Sequence, residues 1–211
     1  MVRNPKVMKN AQDELDRVIG KGRLPDFSDR DNLPYIDAIV KEVIRWNPPL
    51  PFNLPARVTQ DDVYRGYFIP AGATVVQNVW AICRDPNVYP DPEAFNPDRF
   101  LKDGKIDPSV LNPEDRIFGG GRRYEARFTS LWIITGLAIP RICPGKHFAL
   151  RVLYLVVACV STVFDIEPAL DEDGNPQIPE AEFTGDSLVR YVLLGTSIRT
   201  VASWLVLHQG T

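Results

Sequence analysis

Cys143 is the residue whose position offers the most chemistry in this chain. It lies in Ile142-Cys143-Pro144-Gly145, immediately before an apolar segment that we predict to be a helix. The positive end of a helix and its free backbone N–H groups favour the thiolate, which is the form of cysteine that ligates metals. The alternative is a small buried cysteine, and we give that interpretation to Cys83 and Cys159, which lie in apolar surroundings.

Other cysteine chemistry is disfavoured by the number and spacing of the possible ligands. The chain has three cysteines and two histidines, and the cysteines form no Cys-x-x-Cys pair. An odd count with wide spacing argues against a disulfide framework, and so few ligands argue against zinc. A zinc or redox-thiol module is therefore the least favoured of the function classes considered.

Two charged motifs precede Cys143. Glu42 and Arg45 lie three residues apart on a predicted helix, so they share a face. Taken alone, that spacing predicts an exposed pair that contributes little to stability. Arg99 follows in Phe95-Asn96-Pro97-Asp98-Arg99-Phe100, a proline-rich loop from which its guanidinium can pair with a distant carboxylate.

The elements that must position these residues are mostly helices. Apolar residues at helical spacing predict helices over 5–19, 34–46 and 146–164, and Asn4 and Gly20 are suited to begin and end the first. Alternating apolar residues predict a hairpin over 62–79, turning at Pro70-Ala71-Gly72. The chain should therefore be mostly α with small β-sheets.

Composition excludes several functions. The 211 residues carry a net charge of −3, with a pI near 5.5, which gives no sign of nucleic-acid binding. No signal peptide is visible, and no apolar run reaches the length of a membrane span; the longest candidate, 131–139, is too short.

The order of the motifs is more specific than any one of them. Glu-x-x-Arg on a helix, Phe-x-Pro-x-Arg-Phe, Phe-Gly-Gly-Gly-Arg-Arg at 118–123, and Cys-Pro-Gly opening a helix together resemble the cytochrome P-450 family, in particular fungal enzymes of secondary metabolism. The resemblance implies the C-terminal, haem-binding part of that fold over 1–189.

The resemblance also implies roles for individual residues. Cys143 would be the axial ligand of the haem iron, and Phe118 would begin the haem-binding motif. Arg57 would contact one haem propionate. Glu42, Arg45 and Arg99 would form a buried structural network. No residue of the chain is assigned a catalytic role, because the family's oxygen-activating helix belongs to the half that precedes these motifs.

The haem-binding motif is interrupted. Deleting 124–141 restores Phe-Gly-Gly-Gly-Arg-Arg-Ile-Cys-Pro-Gly, and deleting 123–140 restores it equally well, so a second propionate contact could fall on Arg123 or Arg141. A second departure is the apolar tail over 190–211. Both departures begin with Arg-Tyr, a pair that one choice of codons encodes with the nucleotide sequence that usually starts an intron. We interpret 124–141 and the tail over 190–211, which is foreign to the family, as translated introns; the alternative is a genuine lineage-specific insertion.

The resemblance implies a haem-thiolate monooxygenase that inserts one oxygen atom from O2 into an organic substrate, with electrons from a reductase. The apolar stretch 52–54 favours a lipophilic substrate. The alternative is a truncated, non-catalytic remnant that binds haem weakly or not at all. We expect the parent enzyme to be anchored at the endoplasmic reticulum, and this chain, without an anchor, to be cytoplasmic and inactive alone.

Overall fold

Prolines and glycines set the ends of the first two helices. The computed structural model describes residues 1–119 and 142–178, together with the backbone of 196–200. Pro5 and Pro34 each occupy the first position of a helix, where the missing N–H costs nothing. Gly20 adopts a φ of +73° just after the first helix and so allows the chain to leave it. The helices are α1 (Pro5–Val18), α2 (Pro34–Trp46), α3 (Val79–Cys83), α4 (Glu114–Ile117) and α5 (Lys146–Val163).

The predicted helices are confirmed to within a residue at their ends. The expected side-chain cap at Asn4 is wrong, since its side chain makes no capping hydrogen bond. The strands are short, and most form two-stranded antiparallel pairs. They are β1 (Ala56–Arg57), β2 (Asp62–Tyr64), β3 (Tyr67–Ile69), β4 (Thr74–Val75), β5 (Leu101–Lys102), β6 (Lys105–Ile106), β7 (Phe164–Leu170), β8 (Pro176–Gln177) and β9 (Thr196–Thr200).

The predicted hairpin over 62–79 is wrong in its extent and in its turn. The hairpin is β2–β3, and it turns at Arg65 and Gly66, which have φ values of +50° and +86°. Two consecutive positive φ values are typical of the tight turn that matches the twist of paired strands. The turn at 70–73 instead sends the chain into β4, which pairs with β1.

The chain divides into two compact units. The first unit comprises 1–43, 94–111 and the chain from Pro144 onward, and in it α1 packs against α5. The Glu14 carboxylate of α1 accepts hydrogen bonds from the backbone N–H groups of Tyr35 and Ile36 and so caps α2. β7 pairs with β8 on one side and with β9, from the chain's tail, on the other.

The second unit comprises 44–93 and 112–143 and holds β1 to β4, α3 and α4. Asn53 ties its parts together, because its side-chain amide donates to the Gln77 side chain at 2.7 Å and to the Arg116 carbonyl at 2.9 Å. This unit carries Arg57, Phe118 and Cys143.

One helix of the described residues, α5, is long and apolar enough by length and composition to cross a membrane. The expectation that no apolar segment reaches the length of a membrane span is therefore wrong as far as length and composition are concerned. Lys146, Leu150 and Tyr154 of α5 are buried, and the helix packs on α1, whereas Phe148, Val152 and Val156 are exposed, so that a third of the helix is buried.

Candidate functional site

The two ends of the interrupted motif meet. The backbone N–H of Cys143 donates to the Phe118 carbonyl at 2.8 Å, across 24 intervening residues. Phe118 ends α4, and Gly119 after it has a φ of +88°, a backbone conformation that favours glycine. The chain therefore leaves at Phe118 and returns to the same point at Cys143.

The thiol of Cys143 is exposed, in contrast to the other two cysteines. It lies three residues before the first residue of α5, whose N-terminal Gly145 supplies no side-chain cap. Cys83 is fully buried, and burial raises the pKa of Cys159. The interpretation as a small buried cysteine agrees with the position of Cys83, whereas Cys159 is only half-buried.

Arg57 presents a second exposed polar group in the same unit. It lies on β1, opposite Thr74 of β4. Its guanidinium lies over Gly72, where an added methyl group would be 3.4 Å away, in ordinary van der Waals contact. Gly72 has a φ of +87°, and its N–H donates to the Val58 carbonyl, which holds the turn beside Arg57.

The same unit exposes an unusual amount of apolar surface. Nine large apolar side chains of residues 50–76 are 46–85% exposed: Leu50, Phe52, Leu54, Val63, Tyr64, Tyr67, Phe68, Val75 and Val76. A protein binds haem through an axial ligand to the iron, which can be a cysteine thiolate, through cations that face the propionate carboxylates, and through apolar surface that covers the macrocycle. The donor set of this unit therefore fits a haem. Arg123 and Arg141 lie outside the described residues.

Glu42 is fully buried in the first unit. Its carboxylate accepts from the backbone N–H of Asn96 at 2.8 Å and from Nε of Arg99 at 3.3 Å. Arg99 also donates to the Ala94 carbonyl. The expectation from spacing alone, an exposed pair, is wrong for Glu42, because the partners that bury it arrive from a loop 54 residues later in the chain.

Arg45 is fully buried in the second unit. Its Nη1 donates to the Cys83 carbonyl at 2.8 Å, and its guanidinium carbon lies 5.5 Å from the centre of the Tyr89 ring. Sequence reasoning did not identify Asn96, the Cys83 carbonyl or Tyr89 as partners. The contacts with Cys83 and Asn96 use backbone groups, which every residue has, so the sequence does not reveal them. Tyr89 is the one partner whose side chain makes the contact, and its position in the proline-rich stretch could have indicated it.

Among the described residues, no group of three or more histidines, cysteines, aspartates and glutamates is placed to hold a bare metal ion. A single exposed thiol can instead complete the coordination of an iron that a macrocycle already holds.

The comparisons place this geometry in a family. The family model "Cytochrome P450" matches residues 1–124, and the chain belongs to that family. It is 44% identical over 176 residues to cytochrome P450 monooxygenase COX2 of Coprinopsis cinerea, which covers 83% of this chain and 30% of that protein. It is 43% identical over 181 residues to a cytochrome P450 monooxygenase of Armillaria gallica, covering 85% of this chain and 31% of that protein.

A solved structure supports the same family. A zebra fish cytochrome P450, solved with abiraterone, matches 94% of this chain with a TM-score of 0.73 and 29% sequence identity, over 41% of its own length. The fold is the cytochrome P450 fold, mostly helical with small antiparallel sheets. The chain thus spans about three tenths of the length of the curated relatives it matches.

Proposed function

We propose that the protein carrying this chain is a haem-thiolate monooxygenase, and that Cys143 is the axial ligand of the haem iron. The observation that carries the proposal is the exposed thiol of Cys143, whose backbone is hydrogen-bonded to Phe118 immediately before α5. Haem bound through a thiolate supplies the activation of O2 that monooxygenation requires. The residues of this chain hold and orient that group.

We assign the polar contacts to the haem propionates to arginines. Arg57 is exposed, and its guanidinium lies beside the turn at Gly72. A planar guanidinium binds a carboxylate through two parallel hydrogen bonds, which is the reason arginine suits this role. The second contact is assigned to the arginine that precedes Ile142-Cys143, which is Arg141 in the chain as it stands and Arg123 if the motif is rejoined.

We assign a structural role to Glu42, Arg45 and Arg99. Glu42 and Arg45 are fully buried, the Arg99 side chain is 8% exposed, and each makes at least one hydrogen bond to a backbone group or to another of the three. A buried charge without a partner costs several kcal/mol, so these residues hold the loops that follow α2 in place.

Proteins of this family take electrons from a reductase and act on organic substrates. For the parent protein we propose a reductase partner and a small lipophilic substrate, supported by the exposed Phe52 and Leu54. We further propose that the parent is anchored at the endoplasmic reticulum and belongs to fungal secondary metabolism. Relatives at 40–44% identity are fungal cytochrome P450 monooxygenases, which supports the fungal assignment. No observation favours the non-catalytic remnant over this function.

We also propose that 124–141 is an insertion in the haem-binding motif, either a retained intron or a lineage-specific addition, and that 190–211 is a tail foreign to the family. Two observations support the insertion. The match to the family model ends at residue 124. The residues on either side, Phe118 and Cys143, are hydrogen-bonded to each other as neighbours in a continuous loop would be.

The thiolate assignment is tested by the spectrum of the reduced, carbon monoxide-bound protein, purified as the full-length gene product with haem. The wild type should show the red-shifted Soret band of a thiolate-ligated haem. Cys143→Ser should abolish that band, whereas Cys83→Ser and Cys159→Ser should retain it. A wild-type protein that binds haem without this band would favour the remnant, and a band that survives Cys143→Ser would assign the ligand elsewhere.

A further inference from the structure

Asn53 is the one polar residue in an apolar, proline-rich stretch of the second unit, residues 48–56. Its backbone N–H donates to the Gln77 carbonyl at 3.0 Å. Its side-chain Nδ2 donates to Oε1 of the same glutamine at 2.7 Å. These two hydrogen bonds to one residue fix the orientation of the Asn53 amide.

The second N–H of that amide reaches α4. An amide nitrogen carries two hydrogens. One faces Gln77, and the other is donated to the Arg116 carbonyl at 2.9 Å. Arg116 lies in α4, a single helical turn, and the last carbonyl groups of a helix have no donor within the helix. Asn53 supplies a donor to one of them from a part of the chain more than sixty residues earlier.

The contact with Cys143 begins two residues after Arg116. Phe118 ends α4, and its carbonyl accepts from the backbone N–H of Cys143 at 2.8 Å. The Phe118 N–H donates to Glu114, within the same turn, so this bond does not fix the turn relative to the rest of the unit. Packing against α3 places α4 in the unit, whereas the bond from Asn53 acts on one carbonyl close to Phe118.

We propose that Asn53 is a positioning residue, which holds the end of α4 so that the Phe118 carbonyl stays in place to accept from Cys143. The inference rests on the proposed haem-thiolate function, because it makes Asn53 a determinant of where the proposed axial ligand lies. Every residue in this series of contacts belongs to the second unit. Loss of the bond to Arg116 should raise the open fraction of the Cys143 contact about fivefold.

The test uses the full-length, haem-loaded protein and two variants that each replace an amide by a carboxylate. Asn53→Asp keeps the shape of the side chain and removes the N–H that faces the Arg116 carbonyl. Gln77→Glu is the matched control, because it keeps an oxygen that accepts from Asn53. Hydrogen exchange at the Cys143 amide should be about fivefold faster in Asn53→Asp and within about twofold of the wild type in Gln77→Glu.

The second readout is the ratio of non-thiolate to thiolate Soret absorbance in the reduced, carbon monoxide-bound protein, which should rise in Asn53→Asp only. The Val58 amide is the internal reference for exchange, since it donates to the Ala73 carbonyl at 2.9 Å in the same unit, in a bond that does not involve α4. A variant that destabilises the whole unit speeds exchange at both amides, whereas loss of positioning speeds it at Cys143 alone.

Four results overturn the positioning role and leave the haem-thiolate function standing. They are unchanged exchange at Cys143 in Asn53→Asp, an unchanged Soret ratio in that variant, an equal increase of exchange at Val58, and an equal increase in Gln77→Glu. A wild type without any thiolate band overturns the haem-thiolate function instead, and exchange at Cys143 then still decides whether Asn53 holds the loop.

Discussion

Deleting 124–141, the segment that we propose to be an insertion, should tighten the loop that presents Cys143. The bond between the Phe118 carbonyl and the Cys143 N–H closes a loop of 24 residues, 119–142. Deleting 124–141 leaves six of them, a fourfold shorter loop. Closure entropy changes by about 0.6 kcal/mol per doubling of length, so the deletion should favour the closed loop by about 1.2 kcal/mol, or about eightfold. Deleting 123–140 yields the same protein, so one variant serves both alignments.

The measurement is hydrogen exchange at the Cys143 amide, which is the donor of that bond. Its protection should rise about eightfold in the deletion variant. Soluble yield should rise too, because the insertion contains Leu131-Trp132-Ile133-Ile134, an apolar run with no counterpart in the family's motif.

A second variant separates the two effects. Replacing 124–141 by eighteen glycine and serine residues keeps the loop length and removes the apolar run. This variant should gain solubility without gaining protection at Cys143. Protection that stays the same or falls when the segment is deleted would refute the closure argument. A loss of soluble protein in both variants would show that the segment belongs to the fold.

Three further predictions concern stability and are read from urea unfolding. Glu42→Gln should cost about 3 kcal/mol, because it removes the buried negative charge that pairs with the Arg99 guanidinium. Lys9→Ala breaks an exposed ion pair and should leave the unfolding midpoint unchanged; equal effects of the two substitutions would contradict this reasoning. Burial raises the pKa of the Glu14 carboxyl above its usual value of 4.5. The stability that this shift contributes is fully present below pH 4.5 and is lost as the pH rises through the raised pKa. The free energy of unfolding of the wild type, relative to that of Glu14→Gln, should therefore fall between about pH 4.5 and 7. Gly66→Ala should cost about 1 kcal/mol through its positive φ, whereas Gly22→Ala, without a positive φ and with open space around it, should not destabilise.

Local signals account for the ends of the helices. Pro5 and Pro34 each begin a helix, and Gly20 follows the end of the first, because each of these residues restricts or frees its own backbone. The buried stripe of α5 was harder to predict. Most residues of that helix are apolar, so hydrophobic periodicity alone does not identify the face that the fold buries.

Two predictions from local signals were wrong: the exposure of Glu42 and the position of the hairpin turn. Both features depend on parts of the chain that are distant in sequence. Glu42 has the spacing of a surface residue, and it is buried because Asn96 and Arg99 return to it from a loop more than fifty residues later. The β2–β3 turn at Arg65-Gly66 competes with Pro70-Ala71-Gly72, a stronger turn signal that the fold uses to bring β4 to β1.

The candidate site combines both kinds of determinant. A cysteine before a helix can be recognised from sequence because helix starts are local, and Cys143 was recognised in that way. The backbone of Cys143 is held by a hydrogen bond to the Phe118 carbonyl. Because every residue has a backbone carbonyl, the residue type at position 118 does not reveal this contact in the sequence. An insertion between the two can therefore leave the contact in place while weakening it, because the hydrogen bond requires only that the two ends meet. The insertion should then lower the fraction of time for which the loop is closed and leave the geometry of the closed loop unchanged. Hydrogen exchange at the Cys143 amide measures that fraction and so distinguishes a change in population from a change in geometry.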